Sequence, residues 1–191
     1  MALPKRSFAV AAAATGVAFV GSGAVKELHV AEVTAVASVA TMRLFDQAAG
    51  PIASTPIAVV RLIANDKKQV QWPKGLKFRN GLLIEAVTGD INGSVSIGSS
   101  GALTPRFFSA DTAALVNGAV QVDSVLIAET AGAVAEAAIY DALTVTGTAF
   151  ATVPLAANET AMLSFPEGAA FGTGISVDEV AGAVEGVIYT Y

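Results

Sequence analysis

The chain has 191 residues, a formal net charge of −5 at pH 7 and 14% charged residues, against about a quarter in an average soluble domain. Hydrophobic residues make up 53% of the chain and its mean hydropathy is +0.61, a composition typical of a protein that hides much of its surface against other chains. There is no cysteine, which excludes disulfides, thiolate metal sites and thiol nucleophiles.

Residues 1–25 form a segment of their own. Lys5 and Arg6 precede an apolar run over residues 8–20, and a Gly-Ser-Gly stretch follows the run. This order is shared with secretory signal peptides, but the run is mostly alanine, is interrupted by a Thr-Gly pair and is too short to span a bilayer. We therefore predict an extended N-terminal arm that docks on a partner, and keep the signal peptide as the alternative.

Residues 26–98 are predicted to form a first small β domain. Apolar and polar residues alternate at positions 95–97, as they do in a half-buried strand. The Asn-Gly pair at 92–93 is a hairpin signal, because both residues tolerate positive φ. Pro73 and Gly75 mark a break between strands.

Residues 99–121 are predicted to link two domains. Glycine and serine at positions 98–101 and a proline at 105 are loop signals. The segment is long for a plain connection, so we expect either a short strand or a helical turn around residues 111–116.

Residues 122–191 are predicted to be a second copy of the first domain. Both copies contain an aliphatic-aromatic-Asp triplet, a spacer and the pattern Pro-x-Gly-x-x-Phe-x-x-Gly-aliphatic. The two copies are Leu44-Phe45-Asp46 with residues 73–82, and Ile139-Tyr140-Asp141 with residues 166–175. The triplets lie 95 positions apart and the prolines 93 positions apart, so the spacers differ by two residues. Agreement at so many positions indicates a tandem duplication.

The predicted fold class is all-β, with two tandem small β-sandwich or barrel-like domains of jelly-roll type and an extended N-terminal arm. Short strands at regular spacing with turn signals between them favour these architectures. The alanine-rich stretch 131–138 is compatible with a helix by composition. Its repeat mate, residues 36–41, is more strand-like, so we predict strands at both places.

The two copies differ in charge. Residues 122–191 contain nine acids and no lysine or arginine, whereas residues 26–98 contain eight bases and six acids. Such complementarity fixes register and suppresses wrong pairings, so we predict that the basic copy and the arm face an acidic scaffold or the acidic copy of a neighbour. The simpler interpretation is that the split serves solubility only. The candidate scaffold-contact residues are Lys5, Arg6, Phe8, Arg61, Lys67, Lys68, Lys74, Lys77 and Arg79.

No catalytic, cofactor-binding or metal-binding residues are predicted. His29 is the only histidine, and one histidine cannot build a histidine metal site, so we interpret it as a structural or surface residue. Asp46 and Asp141 recur at matching positions. We favour a structural role in which each aspartate binds the backbone of the turn that follows it, and an acid pair is the alternative. Nucleotide-binding and nucleophile motifs are absent from the sequence. A pI of about 4.8 and 7% aromatic residues argue against nucleic-acid binding.

The repeated pattern resembles small virion proteins of tailed bacteriophages. The residues that carry the resemblance are the two triplets ending in Asp46 and Asp141 and the two Pro-x-Gly segments, 73–82 and 166–175. The resemblance spans both repeats but leaves out the arm and the linker, and it is strongest to capsid decoration (cement) proteins.

The resemblance implies a non-enzymatic structural protein on the capsid exterior. Its expected partners are the major capsid protein, whose neighbouring subunits it would clamp, and further copies of itself in a homo-oligomer, for which we favour a trimer and keep a dimer as the alternative. No cofactor, nucleic acid or membrane is expected as a partner. A tail or baseplate component and a secreted, adhesin-like β-repeat protein are the alternatives.

Overall fold

The computed structural model describes residues 5–33, 39–99 and 101–191. The chain divides into two units, Met1–Thr104 (unit 1) and Pro105–Tyr191 (unit 2). The all-β prediction is confirmed, since every regular element in the described ranges is a strand. Within those ranges there is no helix long and apolar enough to cross a membrane.

Unit 1 contains eight strands in its described residues. They are β1 (Lys5–Val10), β2 (Ala14–Val20), β3 (Gly23–Glu32), β4 (Ala40–Asp46), β5 (Pro56–Leu62), β6 (Lys67–Phe78), β7 (Gly81–Thr88) and β8 (Ile91–Gly98).

Unit 2 contains eight more, of closely similar lengths. They are β9 (Thr104–Ser109), β10 (Thr112–Asn117), β11 (Val120–Glu129), β12 (Ala135–Tyr140), β13 (Ala151–Leu155), β14 (Thr160–Phe171), β15 (Gly174–Ala181) and β16 (Val184–Thr190). The first residue of β9, Thr104, precedes the boundary of unit 2.

Each unit is built from two four-stranded antiparallel sheets with the same strand order. In unit 1 the first sheet runs β1-β8-β3-β6 and the second β2-β7-β4-β5. In unit 2 the first sheet runs β9-β16-β11-β14 and the second β10-β15-β12-β13. Eight strands that alternate between two sheets in this order form a jelly roll. The predicted tandem β-sandwich fold is therefore confirmed.

The core of unit 2 lies between its two sheets. Phe108, Val125 and Ile188 from the first sheet pack in one buried cluster with Ile139 and Val177 from the second. These positions alternate with outward-facing residues along each strand, as the pleat of a two-layer sandwich requires.

The segment predicted as an arm is part of unit 1. Its residues 5–10 form β1, which pairs with β8 from Lys5↔Ser96 to Val10↔Ile91, and its residues 14–20 form β2, which pairs with β7. One glycine of this segment, Gly16, allows β1 and β2 to approach each other closely. A Cβ atom on Gly16 would lie 2.8 Å from a methyl group of Val10, so a larger residue there would push β1 and β2 apart.

The segment predicted as a linker likewise contains strands of unit 2. β9, β10 and the first residues of β11 lie within 99–121. The strand alternative for residues 111–116 is the one observed, since β10 pairs with β15 there. Phe108 of β9 is 1% exposed, and burial of this ring in the core explains why the segment is ordered as sheet.

The Pro-x-Gly pattern is a bulge within one long strand rather than a break between two. In unit 1, β3 residues Val25 and Glu27 pair with Leu76 and Gln71 of β6, so the residues between Gln71 and Leu76 bulge out. Gly75 has φ +82°, a conformation that glycine adopts without strain. The same bulge interrupts β14, where Gly168 has φ +81°.

The structure describes residues 131–138, which were predicted to form a strand, in full, but describes only part of residues 36–41, for which a strand was also predicted. Residues 135–138 belong to β12, whereas 131–133 form a bend before it. In the repeat mate, residues 40–41 begin β4, and residues 36–38 lie outside the described residues.

Candidate binding site on the first sheet of unit 1

The outer face of the first sheet of unit 1 (the polar face) is covered by short polar side chains. The register pairs Glu27 with Ser96 and Gln71, and pairs His29 with Ser94 and Gln69. Residues directly opposite each other on neighbouring strands point to the same side of a sheet. These six side chains therefore form two adjacent rows across β8, β3 and β6.

Glu27 organises these rows. Its carboxylate accepts hydrogen bonds from Nε2 of Gln69 at 2.6 Å, from Nε2 of Gln71 at 3.0 Å and from Oγ of Ser96 at 3.3 Å. Nε2 of His29 lies 3.2 Å from the same carboxylate. One acid thus holds four neighbours, each of which would otherwise sample several rotamers.

These contacts keep Glu27 ionised. The Gln71 amide and the His29 ring, which bind its charged form, lower the pKa of Glu27 from 4.5 to about 2, against a smaller opposing effect of burial. The carboxylate is therefore a fixed negative charge at physiological pH, and in the described residues it serves as an acceptor that positions amides and a hydroxyl rather than as a proton donor.

A groove of about 1050 Å³ lies on one end of the polar face. Four neighbouring strands line it, and its lining residues are Ser7, Phe8, Ala9, His29, Val30, Ala31, Lys67, Lys68, Gln69, Asn92, Gly93 and Ser94. Small side chains at Ala9 and Ala31 leave the space, and hydroxyl and amide groups surround it. Among these lining residues are two lysines and one histidine but no carboxylate.

The candidate scaffold-contact residues do not form one patch. Lys5, Arg6 and Phe8 lie on β1, at one edge of the first sheet, while Lys67, Lys68, Lys74 and Lys77 lie on β6, at the other edge. Phe8, Lys67 and Lys68 line the groove.

The other candidates divide between separate places. Lys74 lies in the bulge of β6 and Lys77 lies beyond it, both exposed, and Arg79 follows in the turn to β7. Arg6 turns toward β2, where its guanidinium lies 5.9 Å from the centre of the Phe19 ring. Arg61 lies on β5 in the second sheet.

Asp46 and Asp141 have the predicted structural role. Asp46 accepts hydrogen bonds from the backbone N–H of Arg79 at 2.9 Å and of Asn80 at 2.8 Å. Asp141 does the same for Gly172 and Thr173, at 2.9 and 2.8 Å. Bonds from Gly172 and Thr173 lower the pKa of Asp141. The turn involved is the distant β6–β7 or β14–β15 hairpin, more than 30 residues along the chain.

A second pair of acids, Glu129 and Glu32, also accepts hydrogen bonds from backbone N–H groups. Glu129 is fully buried and accepts hydrogen bonds from the N–H groups of Ala131, Gly132 and Asn158. Burial acts to raise the pKa of Glu129, but these backbone donors outweigh it and the pKa is lowered. Glu32 is its counterpart in unit 1 and accepts the N–H of Asn65 at 2.8 Å.

The equivalent face in unit 2 has a different chemistry. Leu126 of β11 occupies the place of His29, because it pairs with Val187 and Met162 just as His29 pairs with Ser94 and Gln69. Leu126, Val187 and Tyr189, which takes the place of Ser96, are all at most 1% exposed. The polar network is therefore a property of unit 1 alone among the described residues.

Sequence reasoning missed this network, although a signal for it exists. Glu27-x-His29, Gln69-x-Gln71 and Ser94-x-Ser96 each place two polar residues two positions apart, which is the spacing of one face of a strand. Only the pairing of three distant strands brings them together. Within residues 5–33, 39–99 and 101–191, no group of three or more histidine and acidic side chains is arranged to hold a metal ion.

Comparison of the chain with protein-family models, with curated proteins and with solved structures gave no match.

Proposed function

We propose that this chain is a non-enzymatic structural protein of a virion, a decoration protein that binds the exterior of the capsid and clamps neighbouring major capsid subunits. The observation that carries the proposal is the pair of jelly rolls with opposite charge. Jelly rolls are recurrent in viral capsid proteins, although a fold alone does not determine function, so the charge distribution has to supply the contact.

The contact is proposed to lie at the bulge end of β6. Lys74, Lys77 and Arg79 are exposed there, and Lys26 lies beside them, with its Nζ 3.3 Å from the carbonyl oxygen of Pro73. Four cations at one end of unit 1 would pair with acidic groups of a capsid subunit, while the base-free residues 122–191 remain outward.

The recurrent acids support a structural role. Asp46, Asp141, Glu32 and Glu129 each bind backbone N–H groups in turns or loops. Acids that hold a backbone in the same way in two copies stabilise a scaffold, whereas a catalytic carboxylate needs an open position for its substrate.

The test is binding to heads assembled without this protein. Purified chain is added, co-sedimentation is measured, and the temperature of head disruption is recorded. Saturable binding that raises this temperature supports the proposal. Replacing Lys74 and Lys77 by glutamine should weaken binding about tenfold or more, whereas the matched double variant Lys67→Gln/Lys68→Gln should bind as the parent does. Absence of binding would overturn the proposal and favour a tail or baseplate component.

A further inference from the structure

The groove on the polar face has the chemistry of a ligand site rather than of an ordinary solvated sheet surface. Its volume of about 1050 Å³ lies just above the range of small-molecule sites, roughly 300–1,000 Å³. It extends over four strands of a single sheet, so its walls are as rigid as the jelly roll itself. A rigid, preformed site loses little entropy on binding.

The polar groups of the groove both donate and accept hydrogen bonds. Ser7, Ser94, Asn92 and Gln69 line it, and hydroxyl and carboxamide groups each have donor and acceptor capacity. Sugar hydroxyls have the same dual capacity, so such a set matches a saccharide. Glu27 holds Gln69 and His29 in place from just outside the groove, which orients the site in advance.

The backbone in the middle of the groove disfavours an extended peptide as the occupant. β8 is paired on both sides, by β1 and β3, and β3 is paired on both sides, by β8 and β6. A peptide lying there could not add a strand, which is the usual source of affinity for extended segments. It would depend on side-chain contacts alone, with small residues such as Ala9 and Ala31 beneath it.

The charge of the groove selects an acidic ligand. Lys67 and Lys68 line one end, His29 lies nearby, and the described lining residues include no carboxylate. Of the two lysines, Lys67 shares the outward side of β6 with Gln69, two positions away, and its ammonium group would attract a carboxylate or another anionic group.

We propose that the groove on the polar face of unit 1 binds an acidic oligosaccharide, with the amide and hydroxyl side chains on the sugar hydroxyls and Lys67 on the acid group. This inference does not depend on the proposed capsid contact, because it uses the end of β6 opposite to Lys74 and Lys77.

Calorimetric titration of the purified full-length chain tests the inference. The probes are tetragalacturonate, a heparin tetrasaccharide and an α2,8-linked sialic acid tetramer, with fully methyl-esterified tetragalacturonate as the uncharged counterpart and hexaglutamate as the acidic peptide. At least one acidic tetrasaccharide should bind with a dissociation constant below about 1 mM, and esterification should weaken the binding of tetragalacturonate if that is the ligand.

Two double variants locate the site. Lys67→Gln/Lys68→Gln should weaken binding of the acidic saccharide about tenfold, whereas Lys74→Gln/Lys77→Gln, the same charge change on the same strand, should leave it unchanged. Gln69→Ala/Ser94→Ala should also weaken binding about tenfold, since each side chain removed loses a hydrogen bond to a sugar hydroxyl. Circular dichroism melting of each variant checks that the fold is retained.

Three outcomes would overturn the inference. One is that none of the acidic tetrasaccharides binds at millimolar concentration. Another is that binding is equally sensitive to both lysine double variants, which would indicate nonspecific charge attraction. The third is that hexaglutamate binds as tightly as the saccharides with the same dependence on Lys67 and Lys68, which would assign the groove to acidic peptides. Because the titration uses no capsids, its failure leaves the proposed capsid contact to be judged by the head-binding test.

Discussion

The first sheets of the two units have the same strand order and the same register, but the side chains on their outer faces differ in chemistry. In unit 1 the face carries Glu27, His29 and their amide and hydroxyl partners, and His29 is 40% exposed. In unit 2 the corresponding positions hold Leu126, Val187 and Tyr189, which are buried. The core-facing residues are apolar in both units. The duplicated fold is therefore maintained by the inner faces and the backbone-binding acids, which leaves the outer faces free to diverge in function.

The largest expected effect comes from exchanging equivalent residues between the two faces. Leu126→His places an imidazole at a buried position and should lower the free energy of unfolding by about 3 kcal/mol. The reciprocal change, His29→Leu, alters a partly exposed position and should change it by no more than about 0.5 kcal/mol. Urea denaturation of both variants measures the difference. Equal destabilisation would show that the two faces are not distinct in the way described.

The next effect concerns a feature that the two units share. Glu129→Gln removes the charged acceptor of three backbone N–H groups and should destabilise the protein by about 2 kcal/mol. Because the pKa of Glu129 is lowered on folding, its contribution is complete above its ordinary pKa and is lost as the pH falls through the folded-state value. The difference between parent and variant should therefore shrink in acid. A difference that persisted unchanged at pH 2 would contradict this account.

A smaller and equal effect is expected at the two bulges. Gly75→Ala and Gly168→Ala place a Cβ atom at φ +82° and +81°, and the nearest groups are the movable ends of Lys26 and Gln121, at 2.7 Å in each case. Each variant should lose roughly 1–2 kcal/mol of stability, mainly from the backbone conformation.

Gly172→Ala is the control for the bulge variants, since its Cβ atom would meet nothing closer than 3.8 Å and no positive φ is involved. It should change stability by no more than about 0.5 kcal/mol. Thermal melts of the three variants compare them. A large loss at only one bulge would show that the two bulges are not equivalent.

The smallest effect belongs to the polar face itself. Glu27→Gln should lower the thermal midpoint slightly at neutral pH, since a neutral amide replaces the charged acceptor of Gln69, Gln71 and Ser96. The folded-state pKa of about 2 lies below the unfolded value of 4.5, so the contribution is present above pH 4.5 and disappears as the pH falls toward 2. Carbon-13 NMR titration of the carboxyl group checks the pKa directly. A midpoint near 4.5 would show that the hydrogen-bond network is not formed.

Much of the fold could be predicted from the sequence because the duplication is visible in it. The triplets ending in Asp46 and Asp141 bind the turns beside Gly81 and Gly174, so the residues that reveal the repeat are the ones that hold each hairpin. The strands β1, β2 and β9 were missed, and β10 was expected only as a short strand or a helical turn within a linker. Their alanine, glycine and serine give weak alternation, and their partners, β8, β7, β16 and β15, lie far along the chain.

Of the residues that line the groove, only Phe8, Lys67 and Lys68 were candidates from the sequence, and they were candidates for contact with a scaffold. Lys67 and Lys68 were singled out by charge, and the structure places both at the groove. Glu27, Gln69 and Ser96 were not, because a polar residue on a strand is uninformative until the register is known. Local sequence patterns indicate which face of a strand is exposed to solvent, but not which distant strands contribute to the same face of the sheet.

The pairing of β1 with β8 has a consequence for synthesis of the chain. Lys5 pairs with Ser96, so the first sheet of unit 1 cannot be completed before β8 has been synthesised. Pairings between residues so distant along the chain make folding slow. When β8 leaves the ribosome, however, β16 has not yet been made. The only eighth strand available to β1 is then its own, so the order of translation protects two jelly rolls of the same topology from exchanging strands during folding.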